Sequence, residues 1–212
     1  MKNSIYFLAP AFMIFVGLQI FSNVVLTFIL FYGWLLAIPL VQRRAEGSFL
    51  GWKWSPFYLG IGIGTGLLFF VFIFGGMYWL HPYFIDMEKL NLLLEEWGFS
   101  GRGVMGLILV LLVINPILEE MYWRGFMHER LNRICHEWQT ILFTSFFYTL
   151  YHFLSVLPMF EYPLNIMAVL PVFIAGVLWG YIREWTGSIV GTVVSHILGD
   201  FGIMCVYWFI VR

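Results

Sequence analysis

Charge is what this sequence has least of. Of its 212 residues, 11% are Asp, Glu, Lys or Arg, against roughly 25% in an ordinary soluble domain. That is too little polar surface to cover a soluble globule, and it excludes a disordered tail. The net charge is −1, so no basic footprint points to nucleic acid. The two cysteines, Cys135 and Cys205, have no CxxC spacing, which excludes a disulfide framework and a cysteine zinc site. The first apolar stretch runs well past a signal-peptide h-region and lacks a small-residue cleavage site, so it is expected to stay as a first span. No repeat of 20–50 residues and no low-complexity linker is present. Gly60, Gly62, Gly64 and Gly66 lack the Lys-Ser/Thr that a phosphate loop requires. Small residues four apart suit close helix packing in a membrane instead.

What is present is apolar and aromatic. The hydrophobic class makes up 61% of residues, with 23 Phe, 10 Trp and 11 Tyr, and mean hydropathy is +0.87. This predicts an all-α, polytopic membrane helix bundle. Residues 5–41 would form one helix of about 55 Å, far longer than a ~30 Å hydrocarbon core. They are therefore read as two spans, 5–21 and 24–41, turning at Ser22-Asn23. A polar loop follows at 42–55, then a third span over 56–80. Residues 83–100 place Leu90, Leu93, Leu94 and Trp97 at helical spacing, with Gly98 as the stop, and read as an interfacial helix. A fourth span starts near Gly103 and continues as one helix past residues 119–130. The fifth covers 138–157, the sixth 163–183, and the seventh runs from Gly187. The expectation is seven spans plus one interfacial helix, divided into an N-terminal part, 1–102, and a helical core, 103–212.

Ionisable residues at membrane depth cost roughly 2.5–3.5 kcal/mol each at mid-span, so they mark cavities and partners. Three places carry them. Asn115-Pro116-Ile117-Leu118-Glu119-Glu120 ends an apolar run with two carboxylates, and Arg124 follows Glu120 by one turn, the favourable order for an ion pair. Glu119 points about 100° away and is left as a free carboxylate. His152 lies in an aromatic span, and His196 and Asp200 share one face of the last. Each alone reads most simply as structural: a wet helix end, a satisfied histidine, a His–Asp pair. A convergence of all four would be hard to explain as independent accidents. Glu119 and His152 stand 16 and 17 residues from Cys135, at the centre of the turn between their spans, and so reach the same depth in an antiparallel pair.

EEMYWR at 119–124 resembles the EExxxR signature of the CAAX-processing and bacteriocin-processing (CPBP, or Abi) family of intramembrane proteases. YTLYH at 148–152 resembles its FxxxH signature, with Tyr148 where Phe is usual. HILGD at 196–200 resembles its HxxxN/D signature. The resemblance covers 103–212 and is specific because order and spacing of all three agree. It implies an intramembrane endopeptidase of the type II CAAX prenyl endopeptidase kind. Glu119 would be the general base and His152 its partner in activating water. His196 would be the oxyanion donor, Asp200 would take the Asn position, and Glu120, Arg124 and Tyr148 would support the site. Amide hydrolysis needs such a base and such a donor. Asp200 departs from the pattern, since an ionised carboxylate cannot donate. Either it is protonated, or it orients His196. Two His with a Glu or Asp also make a zinc set, but HExxH is absent, and the reading favours no cofactor.

The implied partners are the bilayer and a peptide or protein substrate, in a multi-pass protein of a bacterial plasma membrane. Two other readings stay open: a catalytically silent scaffold of the same fold, acting in bacteriocin immunity or peptide binding, and a small transporter or proton relay. The lack of an inverted repeat counts against the last. With the N-terminus cytoplasmic, eight Lys/Arg (Lys2, Arg43, Arg44, Lys53, Arg124, Arg130, Arg133 and Arg183) are inside, against Lys89, Arg102 and Arg212 outside. Cysteines introduced at positions 43 and 133 should therefore label from the same face of the membrane. Labelling from opposite faces would overturn the topology.

Overall fold

The computed structural model describes residues 2–46 and 51–212, and 86% of it is helical without a strand. Among the described residues eight helices follow one another: α1 (2–20), α2 (Val24–Glu46), α3 (56–84), α4 (Met87–Glu96), α5 (Gly101–Asn132), α6 (Glu137–Val156), α7 (Leu164–Thr186) and α8 (Val190–Val211). Five of them, α2, α3, α5, α7 and α8, are long and apolar enough to cross a membrane. Helix α1 is shorter, and α6, with 20 residues, carries polar residues at intervals. The polytopic helical bundle expected from composition is therefore found, and its helix order is that expected from the sequence. Differences are local. Helix α2 continues through Glu46 into the stretch read as a loop, and residues 47–50 of that loop lie outside the described residues. The last helix starts at Val190 rather than Gly187. Gly187 instead takes φ 63° and ends α7, donating its N–H to the Arg183 carbonyl.

The ends of the helices have local causes. Ser22 takes φ 45° between α1 and α2, and Asn23 accepts the Leu26 N–H at 2.9 Å, satisfying one of the orphan donors of the new helix. Ser55 accepts from the Phe57 N–H and Pro56 occupies the first turn of α3, where its missing N–H costs nothing. Asp86 caps the amphipathic helix α4 through the Lys89 N–H at 3.0 Å, and Gly98, at φ 81°, lies just past its end.

The bundle is built outside-in relative to a soluble protein. Large apolar side chains face outward, among them Leu68 at 71% and Phe209 at 72% exposed, while Glu119, Glu120, Arg124 and His196 are at most 2% exposed. Lipid is as apolar as leucine, so burial of apolar area cannot drive helices together there; close packing must do so. Helix α3 meets α8 through glycine. A Cβ on Gly62 would lie 2.5 Å from the Gly191 carbonyl oxygen, and one on Gly66 would lie 2.8 Å from Leu198 and 3.0 Å from Ser195 Cα. Gly60 and Gly64 have nothing within 4 Å. Helix α7 approaches α6 in the same way, Gly176 at Ser145 and Gly180 at Ile141. Gly62→Val or Gly66→Val should therefore destabilise the protein by about 1–3 kcal/mol through overpacking. Gly60→Val and Gly64→Val should melt close to wild type. Thermal unfolding in detergent checks this, and equal effects at all four positions would contradict it.

Candidate active site

Helix α5 carries its two adjacent carboxylates at a place where its winding changes. The α-helical segment Asn115–Glu120 lies between π-type turns at Val110–Ile114 and Met121–Met127. Pro116 has no N–H to return to the turn before it, and that turn is π-wound. Such wider turns recur at functional sites because they re-aim side chains. Here they bring Glu119, Glu120 and Arg124 into the interior together.

Arg124 is the hub. Its Nη1 donates to Glu120 Oε1 at 3.0 Å, and both side chains are fully buried. Its Nη2 donates to the Gly176 carbonyl at 3.2 Å. The guanidinium lies over the Tyr148 ring at 4.4 Å and the Trp179 ring at 5.2 Å. The close approach of α7 at Gly176 is what admits it, since a Cβ there would sit 3.3 Å from Nη2. One further cation braces the backbone: Arg183 Nε donates to the Arg124 carbonyl at 2.8 Å.

The Glu120–Arg124 pair in turn holds His196. Glu120 Oε1 accepts from His196 Nδ1 at 3.2 Å. The imidazole stacks on Trp179, with ring centres 4.4 Å apart and planes 23° apart. Trp179 is itself fixed by donating Nε1 to Ser195 Oγ at 2.9 Å, which also accepts from Thr65 at 3.0 Å. The other ring nitrogen, Nε2, faces three oxygens: the Tyr148 hydroxyl at 3.4 Å, Asp200 Oδ1 at 3.6 Å and Glu119 Oε2 at 3.7 Å. Glu119 Oε2 is buried without a hydrogen bond from the protein, as is the Tyr151 hydroxyl.

Glu119, Glu120, Arg124, Tyr148 and His196 thus form one buried cluster, with Asp200 half-buried beside it. His152 sits at its edge. Its Nδ1 donates to the Tyr148 carbonyl at 2.9 Å, and its ring lies 4.5 Å from that of Tyr148 and 4.4 Å from that of Tyr151. Its neighbours among the described residues are these tyrosines rather than Glu119, so the two are related across Tyr148 and not by direct contact. Because a carbonyl only accepts, Nδ1 carries the proton and His152 Nε2 keeps its lone pair. Asp200 does more than face His196, for its Oδ2 accepts from Asn115 Nδ2 at 3.0 Å. Motif spacing does not single out Asn115, Trp179, Ser195 or Tyr151. An amide at membrane depth four residues before Glu119 is nevertheless a signal of its own. Among the described residues no three His, Cys, Asp or Glu side chains are arranged to hold a metal ion.

The chain is therefore an integral membrane protein of helical bundle architecture whose buried charges converge on a carboxylate–imidazole site. Residues 101–202 match the family model for type II CAAX prenyl endopeptidase Rce1-like proteins, so that region is similar to the CAAX intramembrane protease family. The match contains all three sequence signatures, 119–124, 148–152 and 196–200. No curated protein and no solved structure gives a significant match.

Breaking a buried ion pair by removing one partner typically costs about 3–5 kcal/mol, because the other charge is left uncompensated. Arg124→Met should therefore melt far below wild type. Arg124→Lys should recover only part of the loss, since an ammonium lacks the planar fork that serves Glu120, Gly176 and the Tyr148 face together. Thermal unfolding in detergent measures both. A wild-type melting temperature for Arg124→Met would remove the pair from its place at the centre of the fold.

Proposed function

We propose that the protein is an intramembrane glutamic endopeptidase that cleaves a membrane-associated peptide or the C-terminal tail of a protein with activated water. The observation that carries this reading is Glu119. Its Oε2 is buried, makes no hydrogen bond to the protein and lies 3.7 Å from His196 Nε2. A carboxylate so placed can take a proton from water as the water oxygen attacks the scissile carbonyl. His152, with its Nε2 lone pair, assists in polarising that water. The carbonyl oxygen gains negative charge, and His196 Nε2–H with the Tyr148 O–H supplies donors for it, already oriented by Glu120, Trp179 and Arg124. Preorganised donors of this kind commonly contribute the largest share of rate acceleration in acyl transfer. The proton held by Glu119 then passes to the leaving nitrogen as the C–N bond breaks. This closes the balance with one water consumed, one carboxylate and one amine formed.

The family description supports a prenylated CAAX tail as the substrate class. The outward apolar face of the bundle supports delivery of such a substrate from the bilayer. The N-terminus is assigned to the cytoplasm by the distribution of Lys and Arg, which puts the start of α8 on that side.

The test uses purified protein in lipid nanodiscs and an internally quenched farnesylated CAAX peptide. Wild type should cleave it. Glu119→Gln should abolish turnover while melting like wild type, and His196→Ala should lower kcat by about 10²–10³. Chelators should leave the rate unchanged. Full activity of Glu119→Gln would overturn the mechanism. So would loss of activity on chelation with recovery on adding Zn²⁺.

A further inference from the structure

We propose that Tyr32 and Asn115 form, with Asp200, a positioning relay that aims His196 at the reacting centre. By this relay the N-terminal half of the chain, outside the family match, takes part in the site. The inference rests on the reading of His196 as a donor to the developing oxyanion. Tyr32 projects from α2 and donates its hydroxyl to Asn115 Oδ1 at 3.1 Å. Asn115, on α5, donates Nδ2 to Asp200 Oδ2 at 3.0 Å. Asp200, on α8, turns its other oxygen to His196 Nε2 at 3.6 Å. Tyr32 and Asn115 are both buried, so no solvent competes for these bonds.

The chemistry fixes the direction of the relay. A carboxylate only accepts, so the amide nitrogen of Asn115 must face Asp200, and its carbonyl oxygen is left to accept from Tyr32. With Oδ2 held in this way, Asp200 cannot swing, and Oδ1 stays 3.6 Å from His196 Nε2, beyond hydrogen-bond reach, so the carboxylate attracts that N–H without taking it from the oxyanion. Glu120 holds Nδ1 from the opposite side, and Trp179 fixes the ring plane. Asp200 thus orients His196 by its charge, and it needs no proton of its own to do so. A misplacement of about 1 Å at a catalytic group can cost on the order of 10²-fold in rate, which is the scale on which such a relay matters.

Exchange of the amide and the carboxylate tests this. Asn115→Asp alone sets two carboxylates against each other, and Asp200→Asn alone lets Asn115 donate to the new amide oxygen but turns the new amide N–H, in place of an oxygen, toward His196. In the double variant N115D/D200N the groups trade places. The Tyr32 hydroxyl donates to the carboxylate at position 115, which accepts from the amide at position 200, whose oxygen again faces His196. On the quenched farnesylated CAAX peptide each single variant should lose roughly 10- to 100-fold in kcat with KM little changed, and the exchange should recover most of that loss. Tyr32→Phe should lower kcat in the same sense without lowering the melting temperature appreciably. The His196 ring ¹⁵N NMR signals, assigned with His196→Gln, should move in each single variant and return in the exchange. An exchange no more active than the worse single variant, or a Tyr32→Phe enzyme equal to wild type, overturns the relay. If wild type cleaves no peptide, the proposed function falls and the ring signals alone decide: movement and return uphold the relay, and unmoved signals refute it.

Discussion

A guanidinium and a carboxylate buried side by side in an apolar bundle set the terms for this molecule. Neither Glu120 nor Arg124 is at all exposed, and each would be costly alone at membrane depth. Attraction between them offsets that cost only if their remaining donors and acceptors are also used. The surrounding structure supplies most of those partners, leaving Arg124 Nε and Glu120 Oε2 without a hydrogen bond. Gly176 offers its carbonyl because α7 comes close at a residue without a side chain. Tyr148 and Trp179 offer ring faces, and His196 takes the Glu120 oxygen that Arg124 also binds. Four helices, α5, α6, α7 and α8, are thereby committed to one arrangement.

Function follows from what the pair leaves over. Glu120 Oε1 is taken by Arg124 and His196, whereas its neighbour Glu119, turned away by one helical step, has its own oxygen without a hydrogen bond beside His196 Nε2. His196 is tied at Nδ1, so its Nε2 is directed toward that oxygen, Asp200 and the Tyr148 hydroxyl. The same side chains that make the charges tolerable in the membrane also fix the imidazole beside the carboxylate. Rigid packing at glycine contacts, α3 on α8 and α7 on α6, holds the geometry without relying on the hydrophobic effect, which is weak between helices in lipid.

Much of this was readable in the sequence because membrane physics is strict. Long apolar runs have to be helices there, and the breaks at Ser22-Asn23 and Gly98 coincide with turns in the structure. The Glu120–Arg124 pair could be read from one-turn spacing, and the convergence of Glu119 with His196 from the three signatures. Two kinds of feature were not legible. The π turns around Asn115–Glu120 depend on backbone hydrogen bonding that side-chain periodicity does not encode, although Pro116 hints at the first. Partners contributed by distant segments, such as Tyr32 to Asn115 and Trp179 to His196, depend on how helices rotate against one another. Spacing within one helix carries no information about that rotation. The alternating glycines show both limits: their suitability for close packing was evident, but only Gly62 and Gly66 face α8.

A buried carboxylate beside a scissile bond can act as a base toward water or attack the carbonyl itself and form an anhydride. Single-turnover cleavage in H₂¹⁸O, read by mass spectrometry of both the product and the Glu119-containing peptide, separates the two. Water activated by Glu119 places one ¹⁸O in the new product carboxylate and none in Glu119. Appearance of ¹⁸O in the Glu119 carboxylate, with an unlabelled product, would contradict it.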